Sequence, residues 1–151
     1  MASVATLRES PEVVMAESKL SKKMKLKEGQ TAAVLNAPAG YLEEMKPLFA
    51  AVKLSTKGDA PVDWIQIFVH NKAELEEILP QALKLFKPDT VLWIAYPKKT
   101  SKIQTDLTRD TGWAFLQDKN LRWLTLVSIN ETWSAFAMRR YKEGEARQSF
   151  V

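Results

Sequence analysis

Apolar strands alternate with helical patterns along this sequence, and the alternation predicts an α/β fold. Residues 64–69 and 91–95 are nearly continuous in apolar side chains, which is typical of parallel strands covered on both faces. Between them, apolar residues from 75 to 86 recur at helical spacing. The two-residue turn at 130–131 makes the last two strands antiparallel neighbours. We therefore predict a Rossmann-like three-layer sandwich with a mostly parallel sheet and a C-terminal antiparallel hairpin.

The first forty residues contribute a leader and the first strand. Residues 1–17 have no apolar period, so we expect them to form a flexible leader. Residues 18–27 predict a helix that Gly29 ends. The apolar run 32–35 predicts a strand, and the segment 36–40, which contains Pro and Gly, predicts a turn after it.

A short helix and a weak strand come next. Tyr41, Leu42 and Met45 fall on one helical face, and Pro47 is expected to end or kink that helix. Residues 52–54 are a weak strand candidate, and the segment after them is expected to be a loop because it contains Gly, Asp and Pro.

The long central helix has a recognisable start. Asn71 and Glu74 have the spacing of a helix N-cap with its reciprocal acid, and Pro80 is expected to kink the helix. A further helix is predicted to start near Thr105 or Asp106 and to end at about residue 118.

The C-terminal strands complete the predicted domain. Residues 121–129 and 133–138 predict the two strands of the closing hairpin. A single domain is therefore expected over residues 18–140, followed by a flexible tail at 141–151.

Composition and charge exclude several kinds of site. The 151 residues include no Cys and one His, so no metal site is predicted. No apolar run is long enough to cross a membrane, and the lack of cysteine favours a reducing, cytoplasmic location. The net charge of +4 comes from the two chain ends, whereas residues 29–138 are neutral, so nucleic-acid binding is not expected.

The central segment carries a first resemblance to a known family. An Asp-containing strand at 62–69 precedes a Leu-rich helix at 73–86, and Phe86-Lys87-Pro88-Asp89-Thr90 then leads into the next strand. This order, together with the hairpin at 121–138, resembles the second half of class I S-adenosylmethionine-dependent methyltransferases. The resemblance covers about half of the chain and implies the fold of that family.

The sequence departs from that family where the cofactor would bind. The family places an acidic Gly-x-Gly loop after its first strand, whereas this chain has Asn36-Ala37-Pro38-Ala39-Gly40. The family also places a carboxylate after its second strand, where Asp59 is the nearest candidate. The chain is short for the family's seven strands, so one unit is expected to be missing. We therefore assign no cofactor and predict that S-adenosylmethionine binds weakly or not at all.

Four segments carry a second resemblance, namely residues 34–41, 92–99, 105–110 and 132–135. They are similar to a family of short uncharacterised bacterial proteins, a domain of unknown function with a Rossmann-like fold. This resemblance implies a fold and no reaction.

Polar residues follow the predicted strands at the edge where open parallel sheets bind ligands. The candidate ligand-binding residues are Asn36, His70, Tyr96, Lys98, Lys99 and Arg109. Cations outnumber acids between residues 98 and 109, which favours an anionic ligand beside the N-terminus of the predicted helix. The alternative is a solvated loop in which Arg109 pairs with Asp106.

The sequence offers His70 as its single candidate catalytic residue, because an imidazole can act as a general base near neutral pH. A structural role beside the helix cap is the alternative. Core packing explains the tryptophans on predicted strands better than ligand stacking does. These tryptophans are Trp64, Trp93, Trp123 and Trp133.

Three functions stay open at this stage. The first is a small domain, not itself an enzyme, that binds an anionic small molecule or a partner protein at the strand-end crevice. The second is a reduced methyltransferase-like enzyme. The third is a purely structural interaction module, with a homodimer formed through an exposed edge strand. The fold cannot choose among them.

Overall fold

A six-stranded mixed sheet forms the centre of the computed structural model, which describes residues 20–55 and 60–150. The strands are β1 (Thr31–Leu35), β2 (Lys53–Ser55), β3 (Val62–Phe68), β4 (Phe86–Pro97), β5 (Leu121–Ser128) and β6 (Trp133–Arg140). Their spatial order is β2-β1-β3-β4-β6-β5. The first four strands in that order are parallel, and β6 pairs antiparallel with both β4 and β5. The predicted α/β class and C-terminal hairpin are therefore confirmed.

Both faces of the sheet are covered by apolar layers. In β3, Ile65 and Ile67 point into one layer, whereas Trp64 and Phe68 point into the other, and all four are fully buried. Successive strand residues point to opposite faces, so a strand covered on both sides needs apolar residues at nearly every position. This explains the continuous apolar run in the sequence.

The first layer contains helix α2 (Lys72–Leu83) and the segment after β4. Leu75 and Leu79 of α2 are fully buried there, beside Leu107 and Trp113 of the later segment. The Asn71 side chain accepts a hydrogen bond from the Glu74 amide, as predicted for an N-cap.

The second layer contains the N-terminal segment, helix α1 (Tyr41–Glu44) and a 3₁₀ helix (Lys46–Phe49). In this layer the Met24 carbonyl oxygen accepts hydrogen bonds from the indole N–H groups of Trp64 at 2.7 Å and Trp93 at 2.8 Å. These bonds satisfy two buried donors and fix the N-terminal segment on the sheet.

Two helices are shorter than predicted. Helical conformation at the N-terminus covers residues 20–23, because Lys25 takes a left-handed φ of 56° well before Gly29. Helix α2 ends at Leu83 instead of continuing to Phe86, because Phe86 begins β4 and pairs with Val62. The predicted leader and the start of the 18–27 helix lie outside the described residues.

The predicted helix over residues 105–118 is wrong, since only Ala114–Leu116 is helical, as a 3₁₀ turn. Side-chain oxygens take the backbone donors that a helix would use. The Thr105 hydroxyl accepts from the Leu107 amide, and the Thr108 hydroxyl accepts from the amides of Asp110 and Thr111. Such local bonds compete with helix formation.

The segment predicted to be a flexible tail contacts the sheet in the residues described. The side-chain amide of Gln148 donates to the Trp123 carbonyl and accepts from the Trp123 N–H. Glu145 forms two hydrogen bonds with the Arg139 guanidinium, at 2.8 and 2.7 Å. The segment therefore runs beside β5, at the edge of the sheet.

Candidate functional site

The carboxyl ends of three strands meet at one edge of the sheet, as the sequence predicts. β3 lies between β1 and β4, and all three are parallel. In this topology, β1 and β3 flank the point where the strand order reverses, which is where open α/β sheets usually bind ligands.

Asn36, His70 and Glu74 form one cluster at this reversal point. The Asn36 side-chain amide donates to the Phe68 carbonyl at 2.8 Å and to Glu74 Oε1 at 3.2 Å. Glu74 Oε1 also accepts from the His70 backbone N–H at 3.0 Å and lies 2.8 Å from His70 Nδ1. The Glu74 carboxylate therefore reaches the backbone of His70 rather than that of the N-cap Asn71, and one oxygen joins β1 to the start of α2.

Electrostatics and packing hold this cluster together. Burial raises the pKa of the Glu74 carboxyl, but the hydrogen bonds from the His70 side chain and backbone outweigh that effect and lower the pKa below its usual value. The His70 ring also packs edge-on against Trp133, with ring centroids 5.3 Å apart. His70 thus has a structural use in joining α2 to the sheet.

The cluster bears on whether S-adenosylmethionine fits. The resemblance calls for glycine backbone after the first strand, but here Asn36 has a φ of 59° and its side chain spans the gap between β1 and β3. The other candidate, Asp59, lies outside the described residues. The described residues after β1 do not fit the cofactor in the way the resemblance implies.

A second group of predicted residues lines one open pocket of about 430 Å³, called here the cationic pocket. Its lining residues are Tyr96, Lys98, Lys99, Thr100, Thr108, Arg109, Asp110, Leu126 and Ser134. The structure thus brings four of the six predicted residues together, whereas Asn36 and His70 lie in the separate cluster at the reversal point. Their expected convergence on the pocket is therefore not found.

Three cations of the cationic pocket come from two segments. Lys98 follows β4, and its ammonium group is held 2.6 Å from the Ser128 hydroxyl. Lys99 and Arg109 have exposed side chains. The Asp106 carboxylate accepts a hydrogen bond from the Lys72 amide at the start of α2, so Asp106 anchors its loop to the helix rather than pairing with Arg109.

The loop that carries Arg109 is built tightly. The Trp113 indole donates to the Thr108 carbonyl at 2.7 Å, and the Thr108 amide donates to the Thr111 carbonyl at 3.0 Å. Gly112 closes the loop with a φ of 102°. A methyl group at Gly112 would lie 2.8 Å from the Leu107 side chain and 2.9 Å from the Asp106 carbonyl oxygen, so the chain can close here only on glycine.

Tyr96 forms the floor of the cationic pocket. Its burial raises the pKa of the phenol above the ordinary value, although Arg109 opposes the shift. The hydroxyl is therefore protonated near neutral pH. The Tyr96 ring packs edge-on against Trp113, with centroids 5.2 Å apart, and stacks on Phe136.

A second cavity of about 430 Å³ adjoins the cationic pocket, and we call it the aromatic groove. Its apolar lining residues are Trp113, Trp123, Leu124, Leu126, Phe136, Met138 and Phe150. Arg109, Asp110 and Leu126 line both cavities, so the two lie side by side. Sequence reasoning missed this groove because it placed Trp123 in the core, whereas the side chain is 42% exposed on the edge strand β5.

Two other kinds of site are absent from the part of the chain that the structure describes. No group of three or more His, Asp or Glu side chains there is placed to hold a metal ion. No helix among these residues has the length and apolar character needed to cross a membrane.

Known structures share this fold at low sequence identity. Ribosomal protein L11 methylase from Lactobacillus delbrueckii subsp. bulgaricus has a TM-score of 0.52 and 12% identity, over 89% of this chain and 81% of that chain. The DhpI–SAH complex has a TM-score of 0.50 and 10% identity, over 85% of each chain. The mitomycin 7-O-methyltransferase MmcR has a TM-score of 0.52 and 12% identity, and the match spans 84% of this chain and 54% of that chain.

The likeness to these proteins shows the fold alone, and it confirms the resemblance to methyltransferases at that level. No protein-family model and no curated protein matches the chain. Membership in the family of short bacterial proteins therefore stays a prediction. The chain has the Rossmann-like fold of class I methyltransferases.

Proposed function

We propose that this protein binds a small anionic molecule in the cationic pocket. The observation that carries the proposal is that Tyr96, Lys98, Lys99 and Arg109 line one cavity, although they come from two separate segments. Lys98, Lys99 and Arg109 exceed the single acid Asp110 by two positive charges. Cations and hydroxyl donors that face one concavity are the usual elements of a phosphate or carboxylate site.

The proposal assigns binding and no reaction. The His70 imidazole is engaged with Glu74, and it lies outside the pocket lining. We also propose a cytoplasmic location, which a chain without cysteine permits.

Titration with inorganic phosphate tests the proposal. Two-dimensional NMR on the full chain should show shifts that saturate at the amides of residues 96, 98–100 and 108–110. The double substitution of Lys98 and Lys99 by Ala should weaken phosphate binding by about tenfold, which corresponds to about 1.4 kcal/mol for the two lysines together. This is the size expected because each exposed charge pair is worth about 0.2–1 kcal/mol.

The matched control replaces Lys46 and Lys53 by Ala. Both lysines are exposed. Lys53 begins β2, which is the edge strand opposite β5, and Lys46 begins the 3₁₀ helix that precedes β2 in the chain. This control has the same change in net charge, so unchanged phosphate binding would show that the effect is local. Equal weakening by the two double variants, or no saturable binding to the native chain, would overturn the proposal.

A reduced S-adenosylmethionine-dependent methyltransferase is the second candidate, and the likeness of fold favours it. The bridge from Asn36 to Phe68 and Glu74 opposes it, because that side chain lies in the gap between β1 and β3. We expect no binding of S-adenosylmethionine by calorimetry at micromolar concentrations. Micromolar affinity would replace the first candidate by the second.

A further inference from the structure

The adjacency of the two cavities limits which anions suit the site. The cationic pocket and the aromatic groove share the lining residues Arg109, Asp110 and Leu126, so the cations and the aromatic side chains lie in neighbouring cavities. Each cavity has a volume of about 430 Å³, which lies within the range of small-molecule sites.

The aromatic groove presents ring surface in an ordered arrangement. Phe136 packs edge-on with Trp113 at 5.2 Å and with Trp123 at 6.4 Å between centroids. Trp123 is one of the large apolar side chains that stay exposed among the residues described. An exposed indole supported by neighbouring rings offers a face on which a planar ligand can stack at small entropic cost.

The charge of the neighbouring pocket selects the kind of anion. The excess of two positive charges from Lys98, Lys99 and Arg109 over Asp110 matches a dianion better than a carboxylate. We propose that the ligand is an aromatic phosphate monoester, with its phosphate in the cationic pocket and its ring against Trp123 in the aromatic groove. This inference rests on the proposed function, because it needs the anion site to exist.

Methyl phosphate and phenyl phosphate are the probes that separate the two parts of the site. At a pH well above the second phosphate pKa of about 6 both are dianions, and only phenyl phosphate carries a ring. Calorimetry on the full chain should give about tenfold tighter binding for phenyl phosphate, which is the size expected from one stacked ring. Phenyl phosphate should also quench the fluorescence of the exposed indole.

Substitution of Trp123 tests whether the tighter binding of phenyl phosphate comes from the aromatic groove. Trp123→Ala should remove the preference for phenyl phosphate and leave methyl phosphate affinity unchanged. Trp123→Phe, which keeps an aromatic ring, should retain most of the preference and serves if the Ala variant does not fold. The Lys98→Ala and Lys99→Ala double variant should weaken both ligands by the same factor.

Different binding results would overturn the aromatic inference and the proposed function. Equal affinity of the native chain for both phosphates would overturn the aromatic inference and leave the anion site intact. Binding of neither phosphate would overturn the proposed function as well. A preference for phenyl phosphate that persists in Trp123→Ala would also overturn the inference, because the ring would then lie outside the aromatic groove.

Discussion

Gly112 shows how a single residue positions the candidate site. Its φ is 102°, and a methyl group on its Cα would lie 2.8 Å from the Leu107 side chain, so the loop has no room for a larger residue. Gly112→Ala is expected to lower the free energy of unfolding by about 1–3 kcal/mol, measured by urea denaturation. It should also weaken phosphate binding, because Arg109 lies on the same loop.

A second glycine supplies the control for that experiment. Gly144 has a similar left-handed φ of 84°, but no atom lies within 4 Å of the position its Cβ would take. Gly144→Ala therefore reports backbone strain without the steric contact. If both variants lose the same stability, the close approach of Leu107 is not the reason for glycine at 112.

The sequence predicts directly that Asn71 is the N-cap of α2. Its side-chain oxygen accepts from the Glu74 amide at 2.9 Å, which satisfies a donor that the first turn of α2 leaves unpaired. Asn71→Ala should therefore destabilise the protein by about 1 kcal/mol in thermal or urea unfolding. Asn71→Ser keeps an acceptor and should stay close to the native stability, and an equal loss in both variants would contradict the capping role.

Among the elements, strands were predictable because their evidence is local to each strand. The runs at 64–69 and 91–95 must be apolar on both faces, and that requirement is visible in the sequence itself. Because the two strands are parallel neighbours, Tyr96, Lys98 and Lys99 at the end of β4 lie at the same edge of the sheet as His70 after β3.

The segment from 105 to 118 was not predictable in the same way. Its apolar residues Trp113 and Leu116 have the i, i+3 spacing of a helix, but threonine hydroxyls and Gly112 determine the backbone instead. Arg109, Asp110 and Trp113 of this segment line the aromatic groove together with residues of β5 and β6. The part of the site that sequence reasoning missed thus includes the segment whose backbone was predicted incorrectly.

The C-terminal segment predicts a response to acid. Hydrogen bonds from Arg139 and from the Lys142 amide lower the pKa of Glu145 from 4.5 to about 2. Because the folded-state pKa is depressed, this contribution to attachment is complete above pH 4.5 and is lost as the pH falls toward about 2. The protection of amides 145–150, which is their exchange relative to the intrinsic rate at each pH, should fall across that window, and Glu145→Gln should abolish this change in protection. Unchanged protection in the native chain across the window would show that the ion pair does not hold the segment.

At the scale of the whole molecule, the sheet edge formed by β5 bears on whether copies of this chain associate. β5 ends the sheet, and an unpaired edge strand presents backbone donors and acceptors to any second strand. Here the side-chain amide of Gln148 forms hydrogen bonds with both the N–H and the carbonyl of Trp123, as a neighbouring strand would. Gln117 in turn accepts from the Phe150 amide and donates to the Gln148 carbonyl, which fixes the segment at two points.

Removal of residues 146–151 should therefore increase self-association, with a dimer population that rises with protein concentration. Light scattering coupled to size exclusion measures this directly, and Gln148→Ala should produce a weaker form of the same effect. Glu143→Ala changes an exposed residue of the same segment and should leave the chain monomeric. Adding Trp123→Lys to the truncated chain should restore the monomer, because an edge-strand lysine opposes strand pairing. A truncated chain that stays monomeric at high concentration would show that the C-terminal segment does not protect β5.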